Sequence, residues 1–188
     1  NAGEGDNDTF TGGAGTDIIQ LSSGSHTFST DNKVNTVETF VANSSGSTLV
    51  LTGQTEGFTI SGGAGVDDLT GGNADDIITG GAGNDTLVGG TGNDTFNVDS
   101  GTDIITLLGG DNSGAGGDSD VLVVSSGATV NATNINSFTA TTASSNAGTA
   151  NLSTKAAGGT INMAASNSGA YNINGGAGND ILTGGGGN

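Results

Sequence analysis

The chain has 188 residues, of which 38 are Gly, 31% hydrophobic and 4% aromatic, and a Gly share far above the usual value of about 7% excludes a large mixed α/β enzyme core. Asp and Glu number 19 against 2 Lys and Arg, giving a formal net charge of -17, which repels nucleic-acid phosphates and anionic lipid and makes a cation the natural partner. Without Cys there is no disulfide, thiolate metal site or Cys nucleophile, and because Gly loses the most conformational entropy on folding, something beyond apolar burial must hold a folded form together.

Residues 1–20 carry two nine-residue units, GEGDNDTFT from Gly3 and GGAGTDIIQ from Gly12, with no basic stretch leading into an apolar one. Residues 21–61 are rich in Ser, Thr and Asn. Short β-prone stretches at Val37–Ala42, Thr48–Thr52 and Phe58–Ser61 predict solenoid coils, and His26 reads as a solvated polar residue. From Gly62 to Thr106 five nonapeptides follow without a gap: GGAGVDDLT, GGNADDIIT, GGAGNDTLV, GGTGNDTFN and VDSGTDIIT. Residues 107–174 hold a degenerate unit, AGGDSDVLV at 115–123, then β-prone stretches at Thr129–Thr133, Phe138–Thr142, Ala150–Thr154, Thr160–Ala164 and Ala170–Asn174. Residues 175–188 contain GGAGNDILT and the start of another unit. The chain thus opens and closes inside a repeat and reads as a piece of a longer one. No apolar run reaches transmembrane length, so membrane insertion is not expected.

Each position of the unit GGxGxDxUx, with U a bulky apolar residue, has a physical reason. Gly at positions one, two and four permits positive φ and close backbone approach, so the first six residues form a tight turn. The last three form a strand whose middle residue enters the core: Phe10, Ile19, Leu69, Ile78, Leu87, Phe96, Ile105 and Leu182 all stand at position eight. Position six carries Asp8, Asp17, Asp67, Asp76, Asp85, Asp94, Asp103 and Asp180. A carboxylate held in a turn beside carbonyl oxygens is the donor set of a hard cation such as calcium. Of the adjacent acids Asp67 with Asp68 and Asp75 with Asp76, one of each pair is expected to be a turn ligand and the other solvated, because neighbouring strand residues point to opposite faces.

These units resemble the RTX calcium-binding nonapeptide repeats of secreted bacterial proteins. The resemblance implies an all-β fold, a right-handed parallel β-roll or β-helix solenoid with calcium-binding turns, in which two nonapeptides make one coil. It implies several Ca2+ ions held between stacked turns by position-six carboxylates and turn carbonyls. The turns concerned are Gly62, Gly63, Gly65 and Asp67; Gly71, Gly72 and Asp76; Gly80, Gly81, Gly83 and Asp85; Gly89, Gly90, Gly92 and Asp94; and the turns of Asp8, Asp17, Asp103 and Asp180. With two nonapeptides per coil the implied ion pairs are Asp67 with Asp85, Asp85 with Asp103, and Asp76 with Asp94. Ala74 replaces the position-four Gly, and Val98 with Asp99 replaces a leading Gly pair, so the Asp103 turn is expected to be distorted or to recruit Asp99. A two-unit step from Asp17 reaches Asn35 and one back from Asp180 reaches Asn162, so these outer units lack a carboxylate partner at the family spacing, and their sites are expected to be empty or completed by residues outside this stretch.

No H-E-x-x-H or G-x-S-x-G sequence occurs, so an enzyme is not expected. By resemblance the chain is most like a bacterial S-layer-type surface protein, exported by a type I-like route to the cell surface. It is expected to self-associate into a lattice or filament, with a cell-surface polysaccharide as a candidate partner and no nucleic acid or membrane partner. The competing reading is the calcium-binding region of a type I secreted enzyme or toxin; an adhesin or ice-binding solenoid is a third. Two nonapeptides per coil give about ten coils and about 50 Å of length. Ile18, Ile77, Ile104 and Ile181 at position seven should face outward and are candidate lateral contacts.

Overall fold

In the computed structural model, residues 9–31, 34–106, 108–109 and 118–185 are described. Every described strand pairing is parallel, and no helix occurs among these residues. The chain winds as a β-solenoid whose longest sheet stacks eight strands: Gly24–Thr27, Ser47–Val50, Asp68–Thr70, Thr86–Val88, Ser100–Thr106, Thr129–Ile135, Thr149–Thr154 and Tyr171–Asn174. A second sheet faces it, built of Ile18–Gln20, Thr39–Val41, Thr59–Ser61, Ile77–Thr79, Thr95–Val98, Val121–Val124 and Ser145–Asn146.

The cross-section changes along the axis. The nonapeptide coils are two-sided, one repeat unit to each side, with Leu69 paired to Leu87 and Leu87 to Ile105. A third side appears at each end, as Phe10–Thr11 with Val34–Asn35, and as Ser137–Thr139, Thr160–Asn162 and Ile181–Thr183. These three-sided coils are longer than a pair of nonapeptides, so the chain makes about eight turns and not ten.

Alternation builds the core. The strands Asp68–Thr70 and Ile77–Thr79 bury only their middle residue, and Leu69, Ile78, Leu87, Phe96 and Ile105 are fully buried. The wider N-terminal coils need more volume, which a stack of Phe10, Phe28, Phe40 and Phe58 supplies at centroid distances of 5.4 to 5.7 Å. The three-sided C-terminal coils fill with Ala128, Val130, Ala132, Phe138, Leu152, Ile161 and Met163. His26 departs from expectation: it is buried in the strand Gly24–Thr27 with Nε2 3.0 Å from the Ser22 carbonyl oxygen. It stacks directly on Leu49, a core position of the next coil. Leu182, on the terminal strand, is 44% exposed despite its position-eight place.

Position-seven Ile18, Ile77, Ile104 and Ile181 are exposed. They do not form one patch, because Ile18 and Ile77 lie on the second sheet, Ile104 on the longest and Ile181 on the third side.

Candidate metal centre

The turn glycines at position one are dictated by the carboxylate five residues later. A Cβ on Gly62 would sit 2.8 Å from Asp67 Oδ2, and one on Gly80 2.7 Å from Asp85 Oδ2. Gly71 and Gly89 are crowded in the same way by Asp76 and Asp94, and Gly12 and Gly175 by Asp17 and Asp180. Positive φ is needed at positions two and four of the GGAGND turn, where Gly81 has φ 94° and Gly83 155°. Gly63, Gly65, Gly90 and Gly92 follow the same rule, whereas Gly72 stays out of that region. So does Ala74, whose Cβ disfavours it.

Stacking then aligns the carboxylates into columns. On one edge Ser47 N–H donates to Asp67 Oδ1 at 2.7 Å, Asp67 N–H to Asp85 Oδ1 at 2.9 Å, and Asp85 N–H to Asp103 Oδ1 at 3.0 Å. On the other, Phe58 N–H donates to Asp76 Oδ1 at 2.7 Å, Asp76 N–H to Asp94 Oδ1 at 2.9 Å, and Asp94 N–H to Asp120 Oδ1 at 2.9 Å. All six of these Asp residues are at most 1% exposed. A second ladder runs the opposite way at position five: Asn93 N–H donates to Asp75 Oδ1 and Ser119 N–H to Asn93 Oδ1, both at 2.7 Å. Thr102 N–H likewise donates to Asn84 Oδ1 at 2.9 Å. Asp68 is exposed beside the buried Asp67, and Asp75 beside the buried Asp76.

Both edges hold orphaned buried oxygens, Asp17 Oδ2 alone on the second and a consecutive run on the first. Asp67, Asp85 and Asp103 each keep a buried Oδ2 without a hydrogen-bond partner. Asp76 instead has its second oxygen occupied by Gly72 N–H at 2.7 Å, and Asp120 by Gly109 N–H at 2.6 Å. Orphaned buried carboxylate oxygens are costly unless a donor or cation meets them. The space beside Gly62 Cα is bounded by Asp67 Oδ2 and the Gly80 carbonyl of the next coil; that beside Gly71 by Asp76 Oδ2 and the Gly89 carbonyl; that beside Gly80 by Asp85 Oδ2 and Asp103 Oδ2. Position-two carbonyls are used differently: Gly63 and Gly81 accept N–H bonds from Ala82 and Ser100 of the next coil. Two carboxylates with backbone carbonyls are a donor set for calcium, and because among the described residues no three His, Asp or Glu side chains gather closely enough to hold a metal by themselves, carbonyls must complete any such site.

Burial is the main force on these acids. It pushes Asp67, Asp76, Asp103 and Asp120 up to about 6, against the lowering effect of their backbone N–H donors, with neighbouring carboxylates adding to the rise. Asp94 is driven to about 8 by burial and by Asp120, Asp76 and Asp75, and Asp85 is raised by burial.

The replacement at Val98 and Asp99 does not separate Asp103 from Asp85. Val98 is buried at the end of Thr95–Val98, and Ser100–Thr106 runs as one continuous strand through the former turn. Asp99 accepts a hydrogen bond from the Ser125 hydroxyl at 3.4 Å, and its charge bears on Asp103. Asp17 has no acid at the two-unit step, but its turn is neither empty of a partner nor dependent on residues elsewhere: its N–H donates to Glu38 Oε2 at 2.7 Å, 21 residues on in the next coil. Asp180 faces Gly159, whose N–H it accepts at 3.0 Å. Asp8 lies outside the described residues, as do residues 115–117 of the degenerate unit.

Glu38 and Asp120 are the acids that a two-unit step misses, because they follow coils of 21 and 26 residues. Asp120 had a local signal, standing two residues before the apolar Leu122 of a degenerate unit. Glu38 stands likewise two residues before Phe40, with no glycines ahead of it.

A family model of the RTX calcium-binding nonapeptide repeat matches four copies, over residues 2–25, 59–87, 79–114 and 167–188, together more than half of the chain. No curated protein and no solved structure matches it. With its parallel solenoid and stacked aspartate turns, the chain belongs to the RTX calcium-binding nonapeptide repeat family.

Proposed function

We propose that this chain is a non-catalytic, calcium-stapled structural solenoid of a secreted bacterial surface protein, one that folds and assembles outside the cell. The observation that carries the calcium part is the column of buried, orphaned Oδ2 atoms of Asp67, Asp85 and Asp103 in consecutive coils. Bound between those coils, calcium would supply positive charge that offsets carboxylate desolvation and couples binding to folding. Asp67, Asp85 and Asp103, with the Gly80 carbonyl, would hold it on that edge, and Asp76, Asp94 and the Gly89 carbonyl on the other.

Extracellular calcium modules commonly bind in the range of about 0.1 to 1 mM, which favours an unfolded chain before export and a folded one after it. The structural role is supported by continuity: residues 21–31, 34–61 and 118–174 stack in the same sheets as the nonapeptides, with no separate unit among the described residues. The secreted enzyme or toxin reading shares the same repeats and is distinguished by behaviour. Electron microscopy at millimolar calcium should show sheets or filaments that disperse on chelation. Dispersed particles together with hydrolase or pore-forming activity of the full-length protein would overturn the structural reading.

A further inference from the structure

Away from the calcium turns, the longest sheet carries a groove of about 610 Å³ on its last three coils. Its outward lining is Asn131 and Thr133, Asn151 and Ser153, then Asn172 and Asn174. The register places Asn131, Asn151 and Asn172 in one row. Their amides are tied together: Asn151 Nδ2 donates to Asn131 Oδ1, and Asn172 Nδ2 to Asn151 Oδ1, both at 2.8 Å. The strand register slips between Ala132 and Ile135, where Asn134 has φ 63°, a bulge that bends the strand at the groove.

We propose that this groove binds a neutral, extended polysaccharide. A carboxamide has two N–H donors and an oxygen with two lone pairs. Each ladder bond uses one donor and one lone pair, leaving the remainder to face solvent in an orientation already fixed, which lowers the ordering cost of binding. Hydroxyl groups both donate and accept, as these amides do. No charged side chain lines the groove, so neither a polyanion nor a polycation gains an ion pair there, and the -17 net charge opposes a polyanion at longer range. Strand spacing presents the same amide about every 4.8 Å along the axis, close to the advance of one sugar unit in an extended chain.

The test is affinity electrophoresis of the calcium-loaded chain in gels containing dextran, mannan or laminarin, with alginate as the polyanionic comparison. At least one neutral polysaccharide should retard the chain while alginate does not. Asn151→Ala combined with Asn172→Ala should weaken the retardation by about tenfold, the loss of one or two hydrogen bonds. Asn172→Ala alone, exposed on the last strand of this sheet, decides the matter if the double variant loses its β circular dichroism. Absence of retardation by all three neutral polysaccharides, equal retardation by alginate, or unchanged retardation of a folded variant would each overturn the assignment.

Discussion

Asp85 stands in the middle of its column, accepting Asp67 N–H through Oδ1 while its own N–H bonds to Asp103. Asp85→Ala removes the acceptor of a buried N–H, at a cost of about 1 to 3 kcal/mol, and interrupts both adjoining oxygen clefts. Its calcium midpoint in a circular dichroism titration should rise well above that of Asp180→Ala, whose carboxylate faces Gly159; equal midpoints would sink the stacked-edge assignment. Asp85→Asn separates charge from hydrogen bonding. It retains an acceptor for Asp67 N–H and removes one buried negative charge, so the calcium-free chain should keep more β circular dichroism than the unaltered chain while its response to calcium shrinks. A variant less stable without calcium and equally responsive to it would contradict that account. Gly80→Ala places a methyl between Asp85 Oδ2 and Asp103 Oδ2, and calcium-coupled folding should weaken although the side chain is among the smallest.

At the scale of the strand and turn, the single core residue per nonapeptide strand concentrates the packing energy. Leu87→Ala, at a fully buried site between Leu69 and Ile105, should cost about 2 to 5 kcal/mol in urea unfolding of the calcium-loaded chain, whereas the same change at exposed Ile77 should cost little. Much of this was legible in the sequence, because a nine-residue period fixes which residue enters the core and which carboxylates stack two units apart. The spacer strands were readable from clusters of β-branched residues, as at Thr129–Thr133. What escaped was whatever depended on coil length: once a coil takes 21 or 26 residues, Glu38 and Asp120 fall off the two-unit step, although Asp17 N–H and Asp94 N–H still reach their carboxylates. His26 was missed for a related reason. Without a repeat frame around it, no local cue showed that Gly24–Thr27 turns it inward, where its ring nitrogen bonds to the Ser22 carbonyl. The third side was equally hidden, since a corner in a solenoid leaves no periodic mark.

Across the whole molecule, two columns of buried carboxylates make the fold a reporter of both protons and calcium. The raised acids bind protons more tightly when folded than the ordinary Asp value of about 4 in the unfolded chain. Without calcium, their contribution to stability is therefore fully present below about pH 4. It fades as pH rises through about 6, the value for Asp67, Asp76, Asp103 and Asp120, and through about 8 for Asp94. Calcium reverses the trend, because it binds the ionised form, so urea midpoints should fall with rising pH in chelator and rise with pH in millimolar calcium. Parallel pH profiles in the two buffers would contradict the linkage. The central claim, that calcium supplies the folding free energy which the small core lacks, is tested most directly by far-ultraviolet circular dichroism at pH 7.5 before and after EGTA treatment, with calcium removal verified by elemental analysis. The account predicts loss of most of the β signal on chelation and its return on adding calcium; an unchanged β spectrum in the verified calcium-free chain would contradict it.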